Sequence, residues 1–535
     1  MVRKKEKDAD GRKGNSADKP GMFMLVLVFF ARASAGLVLA AGGAVLVLLA
    51  FPPYRIWPLV FCGLVPILVS VHRVMPHRIA GLAMGLGVGG FFWGFFREGI
   101  DIGAWPAFLE YLPYIVGFIA LLVGSRQRIF HSRTHYRWFV IEGAVTWVTF
   151  ELARASLSPL GTSAFLANPL YEQYWLIQPV SIFSIYGMSF IIILVNLVLA
   201  QKIFALIDSR WEPPEEREAV SNVGSQLWLY VVILLFLLWV GYSMALFEEL
   251  PSAVRVAVIQ PGYYQHHPEV DGETMEVTRE GVEFQEDLEQ LLDITREAVE
   301  SGARLVVWNE GVLPFNPQHK GMEMFQDFAR EMDAFLVIGY HDSEEEADEA
   351  VILSSDGVFL GKTGETLIGN LGTIAAREIN FTEGVREMTR EKTLLLAVPS
   401  NESPEMAVRH LPHYIFRAME NRIPILKADA RHASVIVDPY GRIIRSSFSA
   451  EPRREILVSD IPVGTGDTPV VVWGDWFGWF CLAGMALFVV ADIGVSFYEW
   501  RKRKKAREEE KEKDRKKKPG DRKYTPGRHH FKARS

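Results

Sequence analysis

The chain has 535 residues, of which 49% are hydrophobic and 23% charged, and its formal net charge at pH 7 is −7. This hydrophobic fraction excludes an intrinsically disordered chain, because such chains carry too little apolar surface to form a core. Only two cysteines occur, Cys62 and Cys481, and both lie in apolar runs, which excludes a disulfide-stapled secreted fold.

The net charge is the sum of opposed blocks. By count, residues 1–21 carry about +3, residues 251–470 about −18 and residues 501–535 about +11. Basic ends, an apolar middle and an acidic block predict a membrane protein with one extramembranous domain. Residues 1–21 are polar and aperiodic, so we interpret them as a disordered arm. We interpret residues 501–535 as a disordered basic tail near anionic lipid, and we expect no nucleic-acid partner.

Residues 22–250 are dominated by apolar runs. A membrane-spanning helix needs roughly 20 apolar residues. We predict seven spans in this region and an eighth in residues 471–500. The eight predicted spans lie at about 34–51, 56–72, 79–96, 107–124, 137–153, 179–200, 227–247 and 472–498.

The loops between these spans predict the orientation. Lys and Arg concentrate in short cytoplasmic loops. Loops 97–106 and 154–178 hold one arginine each, whereas the loops that follow spans two, four and eight are basic. Both termini are therefore expected in the cytoplasm, with residues 251–470 on the far side of the membrane. The cations of the basic loops are Arg73, Arg78, Arg126, Arg128, Arg133, Arg137, Arg501, Lys502, Arg503, Lys504 and Lys505.

Residues 251–470 have a different pattern. Residues 254–259 and 303–308 are short apolar runs typical of strands, and residues 284–300 carry apolar side chains at helical spacing. Strands that alternate with helices predict an α/β domain.

Two residues in this region are candidates for chemistry. Glu310 follows the strand 303–308 and is followed by Gly311, so it is a candidate general base on a loop after a strand. Lys362 follows a hairpin-like run, and its charge could stabilise an oxyanion. Taken alone, each is more often a solvated surface residue. His410 and His413 have no third ligand at a suitable spacing, so we expect neither a metal nor a cofactor.

The apolar part also contains charged side chains. Glu142, Glu151 and Arg154 lie in or beside the fifth span, where an unpaired charge costs several kcal/mol. They form either a polar site that binds a lipid headgroup or an ion pair at the membrane interface whose charged ends reach water. Residues 157–175 form a loop with Gly, Pro and aromatic residues, which we expect to lie under the α/β domain.

Four motifs of the α/β domain carry a family resemblance. The motifs are VAVIQPG (256–262), VVWNEGVLP (306–314), SDGVFLGK (355–362) and RAMENRIPILKADA (417–430). Together with the apolar runs they resemble the apolipoprotein N-acyltransferase family of bacterial inner membranes. The resemblance implies an α-helical membrane domain of eight spans and, between spans seven and eight, an α/β sandwich like that of nitrilases (carbon–nitrogen hydrolases).

The resemblance also implies a Glu-Lys-Cys triad. In the family, the cysteine takes an acyl chain from a phospholipid as a thioester and passes it to the N-terminal amine of a diacylglyceryl lipoprotein. By motif, Glu310 matches the general base and Lys362 the lysine that supports the tetrahedral intermediate. Ala376 occupies the nucleophile position, while Glu378, a glutamate of the same motif, is kept. A methyl group forms no thioester. The loop between Lys362 and Ala376 is also shorter than in the family.

With Ala376 at the nucleophile position, the resemblance implies a divergent N-acyltransferase-like protein that is non-catalytic or altered in activity. It would bind phospholipid or diacylglyceryl lipoprotein at the outer leaflet of the inner membrane. The alternatives are an active N-acyltransferase that uses a route without cysteine, and an interaction protein in which the basic tail matters most.

Overall fold

The computed structural model describes residues 22–101, 110–210, 220, 222–247, 254–262, 279–319, 321–342, 347–363 and 370–516. The arm predicted at 1–21 and the last part of the predicted tail, 517–535, lie outside these residues. The described residues form a helical domain, built from the helices before residue 250 and the last two helices, and an α/β domain between them.

The helical domain contains long apolar helices and a few short ones. The helices are α1 (Met22–Ala50), α2 (Val65–Val69), α3 (Gly81–Asp101), α4 (Leu112–Arg133), α5 (Phe139–Leu157), α6 (Tyr174–Ile177), α7 (Val180–Arg210), α8 (Asn222–Ala245), α13 (Pro469–Trp473) and α14 (Trp476–Lys516). Short 3-10 and π segments flank α2, so the second predicted span is an interrupted helix. Pro58, Gly63 and Pro66 explain the interruption, because proline removes a backbone donor and glycine weakens a helix.

Helical segments occur at all eight predicted positions, and six of them are long and apolar enough to cross a membrane. The other two are α4 and α5. Arginines in the second half of α4, and Glu142, Glu151 and Arg154 in α5, lower the hydropathy of these helices. The predicted count of eight spans therefore remains a prediction.

The last span extends further than we predicted. A break at Gly474, with φ +66°, separates α13 from α14, and α14 then continues to Lys516. The prediction that disorder begins at residue 501 is therefore wrong for residues 501–516. These residues are good helix formers, and ion pairs one turn apart support them, such as Arg503 Nη2 to Glu499 Oε2 at 3.1 Å.

The α/β domain consists of two mixed sheets packed face to face. The first sheet has the order β11-β1-β2-β3-β4-β5 and the second the order β10-β9-β8-β7-β6. The strands are β1 (Val254–Gln260), β2 (Leu305–Val307), β3 (Phe335–Asp342), β4 (Ala347–Leu353), β5 (Phe359–Lys362), β6 (Leu371–Thr373), β7 (Leu395–Ser400), β8 (Ile425–Asp429), β9 (Ala433–Val437), β10 (Ile443–Phe448) and β11 (Glu455–Ile461).

Helices cover the outer face of each sheet. Side chains such as Val258 and Leu426 fill the space between the sheets. The helices α9 (Arg279–Glu300) and α10 (Met322–Met332) pack on the first sheet, and α11 (Thr382–Arg390) and α12 (Pro404–Asn421) on the second. The predicted fold class, an apolar helical domain with an α/β sandwich, is confirmed.

The strand directions place loops from both sheets at one edge. Strands β1, β2 and β3 run parallel in the first sheet, as do β6, β7 and β8 in the second. The loops that follow β2 and β7 meet, because the Glu310 backbone N–H donates to the Ser400 carbonyl at 3.4 Å. This edge is where parallel α/β sheets usually carry their sites.

Candidate functional site

Glu310 lies at the meeting point of the two sheets. Its carboxylate accepts the backbone N–H of Asn401 and shares a hydrogen bond with the carboxyl of Asp348. Burial raises the pKa of Glu310 well above its usual range, and the negative charges of Asp348 and Glu402 raise it further. Both effects favour the protonated form of Glu310 over the ionised form.

Lys362 ends strand β5 opposite Val351 of β4. Its Nζ lies 3.4 Å from the Glu349 Oε1 atom, and its side chain is 42% exposed. The other Glu349 oxygen accepts the hydroxyl of Tyr340 at 2.5 Å. The ammonium charge of Lys362 is therefore shared with a neighbouring carboxylate.

Ala376 lies just after strand β6, at the start of the 3-10 turn Ala376–Asn380. It is buried, and the turn leads directly into α11. A sharp turn between a strand and a helix is the kind of position that exposes a nucleophile at the edge of an α/β sheet. Here the position carries a methyl group. Glu378 belongs to the same turn but is exposed.

Sequence reasoning missed a buried ionic group beside Glu310. The Lys427 Nζ atom lies 2.7 Å from Glu402 Oε2 and 3.4 Å from Asp429 Oδ2, and the His410 Nδ1 atom lies 2.7 Å from Glu402 Oε1. Burial alone would raise the pKa of Glu402, but Lys427 and His410 outweigh it and hold this pKa well below its usual range. The sequence feature that could have indicated this group is the lysine inside the apolar strand β8, because a buried charge is costly unless it has a partner.

Sequence reasoning also missed the contacts that hold the α/β domain on the helical domain. Thr162 donates its backbone N–H to the Asn380 carbonyl at 2.9 Å, and its hydroxyl lies 2.9 Å from the His413 Nδ1 atom. The predicted position of the loop 157–175 under the α/β domain is confirmed by these contacts. Burial lowers the pKa of His413 well below its usual range, and the charges of His410 and Arg417 lower it further.

Two charged residues of α5, Glu151 and Arg154, contact this loop. Within the described residues, Glu151 accepts the backbone N–H of Leu166 at 2.9 Å, and Arg154 donates to the Ser163 carbonyl. The expected direct pair between Glu151 and Arg154 is not observed among these contacts. Both side chains instead fix the loop on which the α/β domain rests.

Arg417 and Glu420 of α12 form an ion pair, with 3.0 Å between Nη2 and Oε2. Glu420 Oε1 also accepts the Ile185 backbone N–H at 2.7 Å and the Ser184 hydroxyl at 2.8 Å. This pair therefore connects α12 to α7.

Comparison with known proteins agrees with the motifs. Residues 43–198 match the family model of the apolipoprotein N-acyltransferase N-terminal domain. The chain is 23% identical to an apolipoprotein N-acyltransferase of Geobacter metallireducens, over 84% of this chain and 94% of that protein. It is 22% identical to an apolipoprotein N-acyltransferase of Gloeobacter violaceus, over 83% of this chain and 92% of that protein. The resemblance inferred from the motifs is confirmed.

Solved structures similar to the α/β domain include a carbon–nitrogen hydrolase from Helicobacter pylori. It is 15% identical, covers 39% of this chain and 89% of that chain, and has a TM-score of 0.32. An amidase of the nitrilase superfamily from Nesterenkonia is 20% identical, covers 40% of this chain and 93% of that chain, and has a TM-score of 0.31.

Proposed function

We propose that this chain, a relative of apolipoprotein N-acyltransferases, binds phospholipid and diacylglyceryl lipoprotein at the outer leaflet of a bacterial inner membrane without forming an acyl-enzyme. The observation that carries the proposal is the methyl side chain of Ala376 in the turn after β6. Both termini are proposed to be cytoplasmic, on the distribution of Lys and Arg among the loops.

The covalent route needs a nucleophile at this turn. A thiolate would attack the ester carbonyl of a phospholipid, a carbon–sulfur bond would form, and the lysophospholipid alkoxide would leave with the proton taken from the thiol. Alanine supplies neither the electron pair nor the proton. Loss of a nucleophile from a catalytic unit costs several orders of magnitude in rate even when its partners remain.

The neighbouring residues support the same proposal. Glu310 has Asp348 as a carboxyl neighbour, and Lys362 is paired with Glu349, so both residues that match the triad have carboxyl neighbours. The buried charged residues Glu402, Lys427 and Asp429 are retained beside Glu310.

A second candidate function is acyl transfer without cysteine. It is favoured by Glu310, because a buried carboxyl with a raised pKa is suited to proton transfer near neutral pH. In that case the lipoprotein amine would attack the phospholipid ester directly, an amide bond would form, and the proton of the amine would pass to the leaving lysophospholipid.

An acylation assay separates the two functions. Purified chain in nanodiscs is incubated with radiolabelled phosphatidylethanolamine, and protein-bound label is measured before and after hydroxylamine, which cleaves thioesters. We expect no label on the natural chain and hydroxylamine-sensitive label on Ala376→Cys. Ala375→Cys, one residue earlier, is the matched control and should stay unlabelled. A labelled thioester on the natural chain would overturn the proposal.

Turnover and binding are then measured with a synthetic diacylglyceryl lipopeptide. We expect the natural chain to bind the lipopeptide in nanodiscs and to form no N-acylated product. Product formation by the natural chain, abolished in Glu310→Gln, would establish the second candidate. Failure to bind the lipopeptide would reject the proposed ligand.

A further inference from the structure

The helical domain contains a cavity among α2, α3, α4, α5 and α7, at a distance from the α/β domain. It leaves about 80 Å³ for the centres of water-sized molecules. Apolar side chains line most of it, including Leu68 of α2, Val88 of α3 and Leu197 of α7. Nothing in the candidate site or the proposed function uses this space.

Water is a poor occupant of the cavity. A cavity needs roughly 10–15 Å³ of such volume for each water, and each water needs 2–4 polar partners. Of the lining residues only Gln127, Thr146 and Trp147 have polar side-chain atoms. Gln127 and Thr146 donate hydrogen bonds to Glu142, at 2.9 and 3.3 Å, and the indole N–H of Trp147 donates to Glu151 at 3.1 Å. The several waters that this volume would hold have too few partners, so the favourable occupant is apolar.

The shape of the cavity fits a hydrocarbon chain. Its lining residues on α4 extend from Ile119 to Gln127, eight residues, which is about 12 Å along the helix. This length approaches the depth of one leaflet, which is about half of a ~30 Å hydrocarbon core. Ile119 lines the cavity and is 41% exposed, and Phe118 and Leu122 beside it are more exposed still. The cavity therefore borders the outer surface of α4, the apolar face that bilayer lipid would cover.

The cavity is separate from the candidate site. Phe150, the lining residue of α5 nearest to Arg154, is four residues from it, and Arg154 donates to the Ser163 carbonyl below the α/β domain. That separation is about 6 Å along α5. A chain in the cavity would occupy the helical domain and leave the turn at Ala376 free.

We propose that this cavity holds one acyl chain of a resident phospholipid, bound as part of the helical domain and distinct from any lipid at the candidate site. Burial of the chain removes apolar surface from a space that water fills poorly, and it supports the packing of five helical segments around the cavity. The proposal does not depend on the presence or absence of acyl transfer.

The test fills the cavity with larger side chains, introduced separately on α4 and on α3. Full-length chain is transferred from phosphatidylglycerol nanodiscs into short-chain detergent, and the phospholipid that remains bound is counted by native mass spectrometry. We expect about one phosphatidylglycerol per natural chain. Ala120→Phe on α4 and Val88→Phe on α3 should each reduce retention at least tenfold. Leu122→Phe enlarges a side chain on the outer surface of α4 and is the matched control, with retention unchanged.

Thermal unfolding distinguishes loss of lipid binding from misfolding of a variant. Added didodecanoyl phosphatidylglycerol should raise the Tm of the natural chain and of Leu122→Phe, and it should leave the Tm of folded Ala120→Phe unchanged. If Ala120→Phe does not fold, Val88→Phe and the smaller Ala120→Leu take its place. Equal retention in folded cavity-filled and natural chains would overturn the proposal. Retention of lipoprotein mass in place of phospholipid would overturn the assigned source of the acyl chain.

Discussion

Glu310 and Glu402 interact electrostatically, and their carboxyl pKa values shift in opposite directions. Burial and the carboxyl of Asp348 raise the pKa of Glu310, whereas Lys427 and His410 lower that of Glu402 despite its burial. The difference arises from the sign of the nearest charge, because both side chains are removed from water. The two residues therefore make opposite predictions for stability against pH.

We expect Glu310→Gln to stabilise the α/β domain at pH 8. Because the folded-state pKa of Glu310 is raised, the natural chain loses stability as pH rises above the ordinary value near 4.5. Glutamine cannot ionise, so the variant should gain a few degrees in Tm at pH 8, and the gain should disappear at pH 4. For a domain of this size, a stabilisation of 1 kcal/mol raises Tm by about 2–4 °C. The measurement is thermal unfolding across pH, with exposed Glu378→Gln as the control. A gain that persists at pH 4 would contradict this explanation.

We expect Glu402→Gln to destabilise the domain by about 3–5 kcal/mol at pH 7, because it leaves Lys427 buried with a single carboxylate partner. The folded-state pKa of Glu402 is lowered, so its contribution is present above the ordinary pKa near 4.5 and is lost as pH falls below it. Denaturation of both forms at pH 7 and at pH 3 checks the sign. Glu405→Gln, on the first turn of α12, is the control, and an equal loss at both pH values would refute the electrostatic cause.

The sequence was sufficient to predict where the motif residues lie in the fold. It was insufficient to predict which side chains they contact. Glu310 follows a predicted strand, Lys362 follows a predicted hairpin-like run and Ala376 was located by its motif, so their placement needs only local pattern. Asp348 reaches Glu310, and Lys427 reaches Glu402, through the pairing of strands and the packing of α12. Such contacts depend on register between distant segments, which local periodicity does not specify.

Helix α7 changes direction at Ser184, whose φ of 57° and ψ of 177° lie outside the helical region. Its hydroxyl lies 2.8 Å from Glu420 Oε1 and 2.9 Å from Asp475 Oδ1, so the kink brings helix backbone to the α/β domain. A non-glycine residue at positive φ stores strain of order 1–3 kcal/mol. The surrounding hydrogen bonds hold Ser184 in this conformation.

Two substitutions at this kink separate the strain from the hydroxyl contacts. Both Ser184→Gly and Ser184→Ala remove the hydroxyl, and only glycine relieves the positive φ. We expect the alanine form to be less stable than the glycine form by about 1–2 kcal/mol, measured as Tm in detergent. The same pair at Ser209, on the exposed end of α7, should show the opposite order, because glycine weakens a regular helix. The same order at both positions would remove the argument for strain.

At the level of elements, the sequence predicted helix positions well and interruptions poorly. Runs of apolar residues predicted a span across 179–200, and α7 covers it. Nothing local marks Ser184 as a kink, since its cause is the contact with Glu420, 236 residues away in the chain. The extension of α14 past residue 500 was missed because a charged composition was taken as disorder, although the same residues are good helix formers.

Across the whole molecule, the α/β domain is seated on the helical domain by the loop 157–175. Gly161 has a φ of +51°, and a Cβ atom there would collide with the Asn380 carbonyl of the turn that carries Ala376. Thr162 and His413 add hydrogen bonds at the same place. The turn that carries Ala376 is therefore fixed by contacts with the helical domain.

We expect Gly161→Ala to destabilise the whole chain by about 1–3 kcal/mol, because it combines a left-handed backbone with a backbone collision. The measurement is Tm in detergent, with unfolding of the α/β domain detected by its sensitivity to protease. Gly42→Ala in α1, where a Cβ would meet nothing within 4 Å, should be neutral or stabilising by up to about 1 kcal/mol. An unchanged Tm for Gly161→Ala would show that the two domains are not tightly coupled at this turn.

The division into two domains could be predicted from composition, and the way they join could not. The acidic block and the apolar runs are properties of single segments, whereas the junction connects Thr162 to Asn380, 218 residues apart. An apolar loop rich in aromatic residues indicated a contact surface but not its partner.

Helix α14 has a consequence for the charges beyond the apolar domain. At 1.5 Å per residue, Lys516 lies about 24 Å from Trp500 along the helix axis. An anionic surface at the level of Trp500 attracts cations over about 8–10 Å at physiological ionic strength. Residues 501–506, five of which are Lys or Arg, fall within this distance, and Glu508, Glu509 and Glu510 fall beyond it. On the proposed topology, the rigid helix thus keeps a group of cations close to an anionic surface and carries the glutamates after them out of its range.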